Sequence, residues 1–484
     1  MIKYYNTSFS LLTDLYQLTM LQGYFFSGVN YNTVFDYFFR RQPFSGGYTI
    51  FAGLDTLVNV LSDINFKESD IDYLRSTGLF KDEFLNYLRG FRFTGSIYSF
   101  KEGDIIFPSE PVLRVEAPII EAQLIETLVL NILNYQSLIA TKTSRIVLSA
   151  KGRGILEFGL RRAQGPDGGI SGSRAAYIGG AFSTSNVLAG KLFNIPVSGT
   201  MAHSFVMAFK SEKEAFLEYA KIYPNNTILL IDTYDTLNSG VVNAIYVLKK
   251  LKNMGIKRFG VRLDSGDLSY LSKRVRKNLD DAGLKECFIV ASNELDEYII
   301  DSLLKDGAPI DYFGVGTKLI TANDDPWLSG VYKLSEIYKD KPVPVIKVSN
   351  NIEKTTIPGK KNVIRFFDSS GYMICDLVFL EKDLDSIISK LNKKEPINAY
   401  HPFYNYNFTI DGYSYYSVML KKVMDNGKRC YQTPSLKEIQ DNTLTNLRVI
   451  DDVYKRFLNP EIYKVMLDES LYLLRNRLVK KYRR

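Results

Sequence analysis

The chain has only two histidines and three cysteines in 484 residues. Cys287, Cys375 and Cys430 are odd in number and far apart, so neither a disulfide framework nor a CxxC zinc site is available, and the chain fits a reducing cytosol. No His/Cys/Asp cluster has zinc spacing, and no GxSxG elbow presents a serine nucleophile. No GxxxxGK followed by Ser or Thr exists to hold a nucleoside triphosphate in the usual phosphate loop. Internal repeats and low-complexity segments are also missing. Long uninterrupted apolar runs are absent: IIEAQLIETLVLNILNYQSLIA, from Ile119, is broken by Glu121 and Glu126 and reads as a core helix. The first twenty residues place Thr13 and Asp14 among apolar positions with no small-residue cleavage site after them, so they do not form a secretory signal.

What is present is ordinary for a globular protein, with 45% hydrophobic and 24% charged residues, and the aromatic share of 13%, mostly Tyr and Phe, is high. The length suggests roughly two to four domains. A net charge of +8 invites a nucleic-acid reading until it is located. Six of those charges sit in the C-terminal RNRLVKKYRR, leaving the rest near neutral, and such a run reads as a solvated helix end rather than a binding patch.

Taken in order, residues 9–26 repeat apolar positions at helical spacing, with Tyr16 off the stripe, where packing is the plain reading. TVFDYFFRRQPF alternates like a strand and ends on Arg40 and Arg41, either a solvated end or an anion clamp. Helices over 53–90 and short strands from Gly95 complete an N-terminal α+β domain, 1–145. From 146 to 340 a rhythm sets in. GILEFGL, IPVSGT, TILLIDTY, FGVRLDSG, FIVASNE and YFGVGTKL recur with helical stretches between them, which predicts parallel strands in an irregular α/β barrel of six to seven strands. The remaining 341–484 reads as a C-terminal α+β extension, with strands in VPVIKVSN, NVIRFFD and MICDLVF and helices from Leu384 and Asp452, partly folding back on the N-terminal domain.

The chemistry collects after the strands. Gly154 to Ser204 reads as a strand, a polar Gly-rich loop, a helix over SRAAYIGGAFSTSNVLAGK and a second strand ending near Thr200 and His203. The successive strand ends offer Glu157, Phe158 and Arg161; Thr200 and His203; Asp232, Tyr234 and Asp235; Arg262, Asp264 and Ser265; Ser292 and Asn293; Gly314, Gly316 and Thr317. Six polar strand ends in a row suit the catalytic face of a barrel. GVGTK can aim backbone N–H groups at an anion or be a plain Gly turn. LDSGDL, with Asp264 and Asp267, can contact ribose or Mg²⁺ or cap the next helix. His401, in a Tyr/Pro/Asn-rich loop, carries the bland reading. A phosphoribosyl donor with an aromatic acid fits these groups.

LLTDLYQLTM, FDYFFRRQPF, EFGLRRAQGPDGG, GTMAHS, GVRLDSGDL and FGVGTKL followed by GVYKL resemble the nicotinate phosphoribosyltransferase family, over about residues 10–340. The resemblance implies a type II phosphoribosyltransferase barrel in a cytoplasmic homodimer. It also implies an ATP-coupled ligase that joins nicotinate to 5-phosphoribosyl 1-diphosphate and releases nicotinate mononucleotide and diphosphate for NAD synthesis, with Mg²⁺ as cofactor. By the same resemblance, Tyr16, from the other subunit, and Phe158 sandwich the pyridine, Arg262 and Thr200 meet its carboxylate, Arg40 and Arg161 face the diphosphate, and Gly314, Gly316 and Thr317 hold phosphate. Asp264 would serve ribose or Mg²⁺, and His203 would be the histidine phosphorylated from ATP. Nicotinamide-using relatives carry an acid near the segment matching Ser183 to Asn186, which is neutral here and favours the acid as substrate. The rival readings are a nicotinamide or quinolinate enzyme, a nucleic-acid binder using the basic tail, and a barrel without catalysis.

Overall fold

The computed structural model describes residues 9–483. It divides into two compact units, Ile139–Pro326 and the chain on either side of it, where the sequence suggests boundaries near 145 and 340.

The Ile139–Pro326 unit is built on six parallel strands. Their spatial order is Ser183–Thr184, Gly154–Glu157, Tyr312–Val315, Phe288–Ser292, Phe259–Leu263 and Thr227–Leu230. Each pair is in parallel register, and a helix follows each strand. The strands are two to five residues of mostly apolar side chains, nearly all buried, as expected where crossover helices cover a parallel sheet. The two end strands do not pair with each other, so the expected barrel is a half-barrel of six strands. Because all six run the same way, their C-terminal ends share one edge.

Two local readings need correcting. SRAAYIGGAFSTSNVLAGK is not one helix: Gly165–Ile178 stops at Gly179, Gly180 turns left-handed at φ 105°, Ser183–Thr184 enters the sheet, and Val187–Phe193 is a separate helix. A left-handed residue ends a helix, and glycine adopts it without a Cβ penalty. Asn186 then starts the next one, its side chain accepting from Ala189 N at 3.1 Å. The polar GPDGG is not a loop either. Pro166 sits in the first turn of Gly165–Ile178, where its missing N–H costs nothing. IPVSGT supplies a single parallel bridge, Val197 to Thr184, rather than a full strand.

The other unit holds two larger sheets. In the seven-stranded one, Asn32–Phe39 is flanked by Gly330–Tyr338 and Leu113–Pro118, and Lys421–Asp425 pairs with Ser96–Ser99, so residues from both ends of the chain share a sheet. The six-stranded one contains Lys361–Phe367 and Met373–Leu380, with Leu384–Asn392 among its helices, and the helix Leu436–Val449 had no counterpart in the sequence reading. Of VPVIKVSN only Pro342–Pro344 is strand. Among the described residues no helix is long and apolar enough to cross a membrane.

One buried ion pair pins the second sheet. Arg365 donates from Nε and Nη2 to Asp376 at 2.9 and 2.7 Å, and the Tyr463 hydroxyl donates to the same carboxylate at 3.0 Å. Glu110 lies beside them, and burial, with the nearby Asp376 charge, raises its carboxyl well above the usual range. Arg365→Met leaves Asp376 buried without its counter-charge and is expected to cost about 3–5 kcal/mol. A urea titration measures this loss, and the double variant Arg365→Met/Asp376→Leu should recover most of it.

Candidate active site

At the C-terminal edge of the parallel strands lies a cavity of about 450 Å³, the size of a small-molecule site. Phe158, Arg161, Thr200, His203, Arg262, Asp264, Gly314, Gly316 and Thr317 all line it, so these sequence candidates converge on one place. Ser292 and Asn293 join them. Tyr16 and Arg40 belong to the other unit. Tyr16 stands on the helix Leu15–Phe26 and is 48% exposed. Arg40 follows the strand Asn32–Phe39, its backbone N–H bonded to Ser329.

Arg262 is the most constrained group in the cavity. Its Nε donates to Ser292 Oγ at 2.8 Å, Nη1 to Thr200 Oγ1 at 3.1 Å, and Nη2 to Asp264 Oδ1 at 2.9 Å. Ser292 is itself fixed by donating to Asp264 Oδ1 at 2.5 Å. A guanidinium has five N–H groups, so one hydrogen on each Nη is left over, and a guanidinium fork is the shape that pairs with a carboxylate. The Arg262 guanidinium carbon lies 5.7 Å from the Phe158 ring centroid, which sets a flat aromatic face beside the fork.

The glycines of GVGTK have a steric role as well as a backbone one. A Cβ on Gly314 would come within 2.7 Å of two Phe158 ring carbons, and one on Gly316 within 3.0 Å of the Phe158 carbonyl. Both glycines therefore make room for the ring and its backbone. LDSGDL divides between its two readings: Asp267 caps Leu268–Asp281, accepting from Tyr270 N at 3.0 Å, while Asp264 faces the cavity. Asp235 is likewise a cap, for Leu237 N and Asn238 N, and Tyr234 is exposed.

His203 opens the helix His203–Met207. Its Nδ1 is 3.2 Å from the Thr233 hydroxyl and its Nε2 is 3.9 Å from Asp264 Oδ2. Thr233 did not stand out in the sequence, and neither did Arg162 or Glu294, which line the cavity, as does Ser185 of the neutral Ser183–Asn186 segment. Thr233 lies between two strand-end candidates, Asp232 and Tyr234, and that placement was its only signal. Three arginines against two carboxylates, Asp264 and Glu294, leave the lining positive.

Asp232 bears on a metal. Its Oδ2 accepts from Asp264 N at 2.9 Å and from Ser265 Oγ at 2.6 Å, while its Oδ1 is buried with no hydrogen-bond partner. No group of three or more His, Cys, Asp or Glu among the described residues could hold an ion alone. An orphaned carboxylate oxygen next to Asp264 fits a Mg²⁺ that takes its remaining oxygens from phosphates and water.

Glu157 was a strand-end candidate, but it is buried beneath the cavity and does not line it. It accepts from Gly159 N, from Thr184 Oγ1 at 2.5 Å and from Ser173 Oγ at 3.0 Å, and burial raises its carboxyl above the usual range against those donors. It ties the loop after one strand to the neighbouring strand. Glu157→Ala strands these donors and is expected to lower stability by about 3 kcal/mol, read as a fall in the urea midpoint, with Glu157→Gln losing less.

Comparison with known proteins addresses the whole chain. Family models match residues 11–134 as a nicotinate phosphoribosyltransferase N-terminal domain, 154–380 as the nicotinate phosphoribosyltransferase family and 360–475 as its C-terminal domain. A nicotinate phosphoribosyltransferase of Bacillus subtilis is 45% identical over 470 residues, covering 96% of this chain and 94% of that protein. The crystal structure of human nicotinic acid phosphoribosyltransferase superposes with a TM-score of 0.83 at 30% identity, covering 96% of this chain and 99% of that one. A nicotinate-nucleotide pyrophosphorylase from Pyrococcus furiosus, with a TM-score of 0.69 at 23% identity over 91% of this chain and 95% of its own, shares the fold. By sequence along its whole length and by fold, the chain belongs to the nicotinate phosphoribosyltransferase family.

Proposed function

We propose that the chain joins nicotinate to 5-phosphoribosyl 1-diphosphate, giving nicotinate mononucleotide and diphosphate as the entry of nicotinate into NAD synthesis, with ATP hydrolysis coupled through His203. The observation that carries this reading is the Arg262 fork beside the Phe158 ring, a receptor for a flat aromatic carboxylate. The neutral run Ser183 to Asn186 offers no carboxylate to accept from an amide substrate, which favours the acid.

The reaction asks for little proton transfer. The pyridine nitrogen lone pair attacks C1 of the ribose as the bond from C1 to the diphosphate oxygen breaks, and the leaving group departs as an anion. The Arg262 fork, holding the carboxylate, and Phe158, stacking on the ring, fix the angle of attack. Arg161 and Arg162 offset the charge that builds on the leaving diphosphate, and Gly314, Gly316 and Thr317 supply backbone and hydroxyl donors for phosphate. Asp232 and Asp264 would hold Mg²⁺, which when bound neutralises phosphate charge.

For the ATP step, a ring nitrogen of His203 takes the γ-phosphoryl group, the bond to ADP breaks, and the ring's other proton is released to solvent. Thr233 fixes the ring. A phosphohistidine adds negative charge to a positive cavity and so alters the balance between substrate and product binding.

The reading includes a homodimer in which Tyr16 of one copy covers the pyridine bound by the other. Leu12, Leu15 and Met20 are exposed with Tyr16 on the same segment, an apolar strip suited to an interface. Arg40 is assigned to the diphosphate.

Arg262→Lys removes the fork but keeps the charge. The KM for nicotinate should rise about 10- to 100-fold, with a smaller change in KM for the phosphoribosyl donor. With labelled ATP, the wild type should carry acid-labile phosphate and His203→Ala none, while slow transfer without ATP survives. Label persisting in His203→Ala would move the phosphorylated residue elsewhere.

A further inference from the structure

The basic C-terminal run is not wholly the solvated helix end that its composition suggests. Arg475, in the helix Glu469–Tyr482, is only 4% exposed, and its Nε is buried with no hydrogen-bond partner. It lines a cavity of about 260 Å³ together with Arg483, His401, Asn476 and the rings of Tyr404 and Tyr472. No residue lining this cavity is acidic. Among the described residues, no carboxylate lies within ion-pair distance of either arginine. The nearby Glu353 instead accepts from the Tyr404 hydroxyl at 2.9 Å.

A buried guanidinium without a counter-charge is costly unless something supplies one. Burial lowers the Arg475 pKa, Tyr472 opposes that fall and the charge of Arg483 adds to it, while burial, then Arg475, lowers that of His401. His401 Nδ1 accepts from Phe403 N and Tyr404 N, both at 3.1 Å, so the neutral ring carries its proton on Nε2 and that nitrogen is a donor. The Arg475 guanidinium carbon is 5.3 Å from the Phe403 ring centroid, which holds it in place, and Nη1 reaches Asn476 Oδ1 at 3.3 Å. Two guanidinium groups, an imidazole N–H and an amide therefore face a space with no acid in it. The space equals roughly nine waters at their share of liquid volume, more than one tetrahedral anion fills, and aromatic rings line the rest.

We propose that this cavity is a ligand site, apart from the catalytic one, for a sugar phosphate monoester that also bears a planar ring, the chemistry of a nucleoside monophosphate. The phosphate sits against Arg475 and Arg483, and the ring lies among Tyr404 and Tyr472. Nothing in the assignment depends on the reaction proposed above.

The test is calorimetric titration of the full chain with AMP, ribose 5-phosphate and inorganic phosphate. AMP should bind most tightly, and Arg475→Gln and Arg483→Gln should each weaken it about tenfold or more, while the catalytic-cavity variant Arg161→Ala leaves this binding in place. Arg483 is exposed, so its variant keeps the test valid if Arg475→Gln folds poorly. AMP binding that ignores both substitutions, or that is lost only in Arg161→Ala, overturns the site. Equal affinity for AMP and inorganic phosphate overturns the ring half of the assignment, and no binding of any probe at millimolar concentration overturns all of it.

Discussion

Arg262 is held by Ser292, Thr200 and Asp264, which follow different strands or lie two residues along its own. No single loop could fix a guanidinium in this way, because the partners must arrive from separate places at the same height. The parallel half-barrel meets that requirement by bringing all its strand ends to one edge. The cavity, its positive lining and the orientation of the fork follow from that arrangement, and the chemistry assigned to the site depends on the fork staying still.

The layer beneath is polar and buried, with Glu157, Ser173 and Thr184 hydrogen-bonded to one another. Glu157 gathers three donors, from the loop after its own strand, from the helix Gly165–Ile178 and from the neighbouring strand. Gly314 and Gly316 keep the floor low enough for Phe158 to lie against it. Larger residues at those glycines would lift the ring away from Arg262. These contacts support the cavity, whereas in the other unit the Arg365–Asp376 pair organises a sheet that carries none of its lining.

Much of this was legible in the sequence, and the reason differs from part to part. Parallel strands announce themselves as short apolar runs between amphipathic helices, so five of the six were found with their polar ends. The sixth, Ser183–Thr184, is two residues long and lies between two helices, so periodicity absorbed it into a helix that Gly180 in fact ends. That short edge strand also separates a half-barrel from a barrel. Contacts across the fold were out of reach: Thr233 meets His203 from thirty residues away, and the orphaned oxygen of Asp232 has no signature in sequence. The C-terminal basic run misled in the opposite direction, because composition cannot tell which arginine of a helix faces inward. Arg475 does.

The central claim is that the Arg262 fork selects a pyridine carboxylate. Its most direct test is turnover of the purified protein with 5-phosphoribosyl 1-diphosphate and either nicotinate or nicotinamide, with and without ATP, following each mononucleotide. The account predicts nicotinate mononucleotide in both conditions, faster with ATP, and no significant product from nicotinamide. Turnover of nicotinamide with nicotinate left untouched would contradict it.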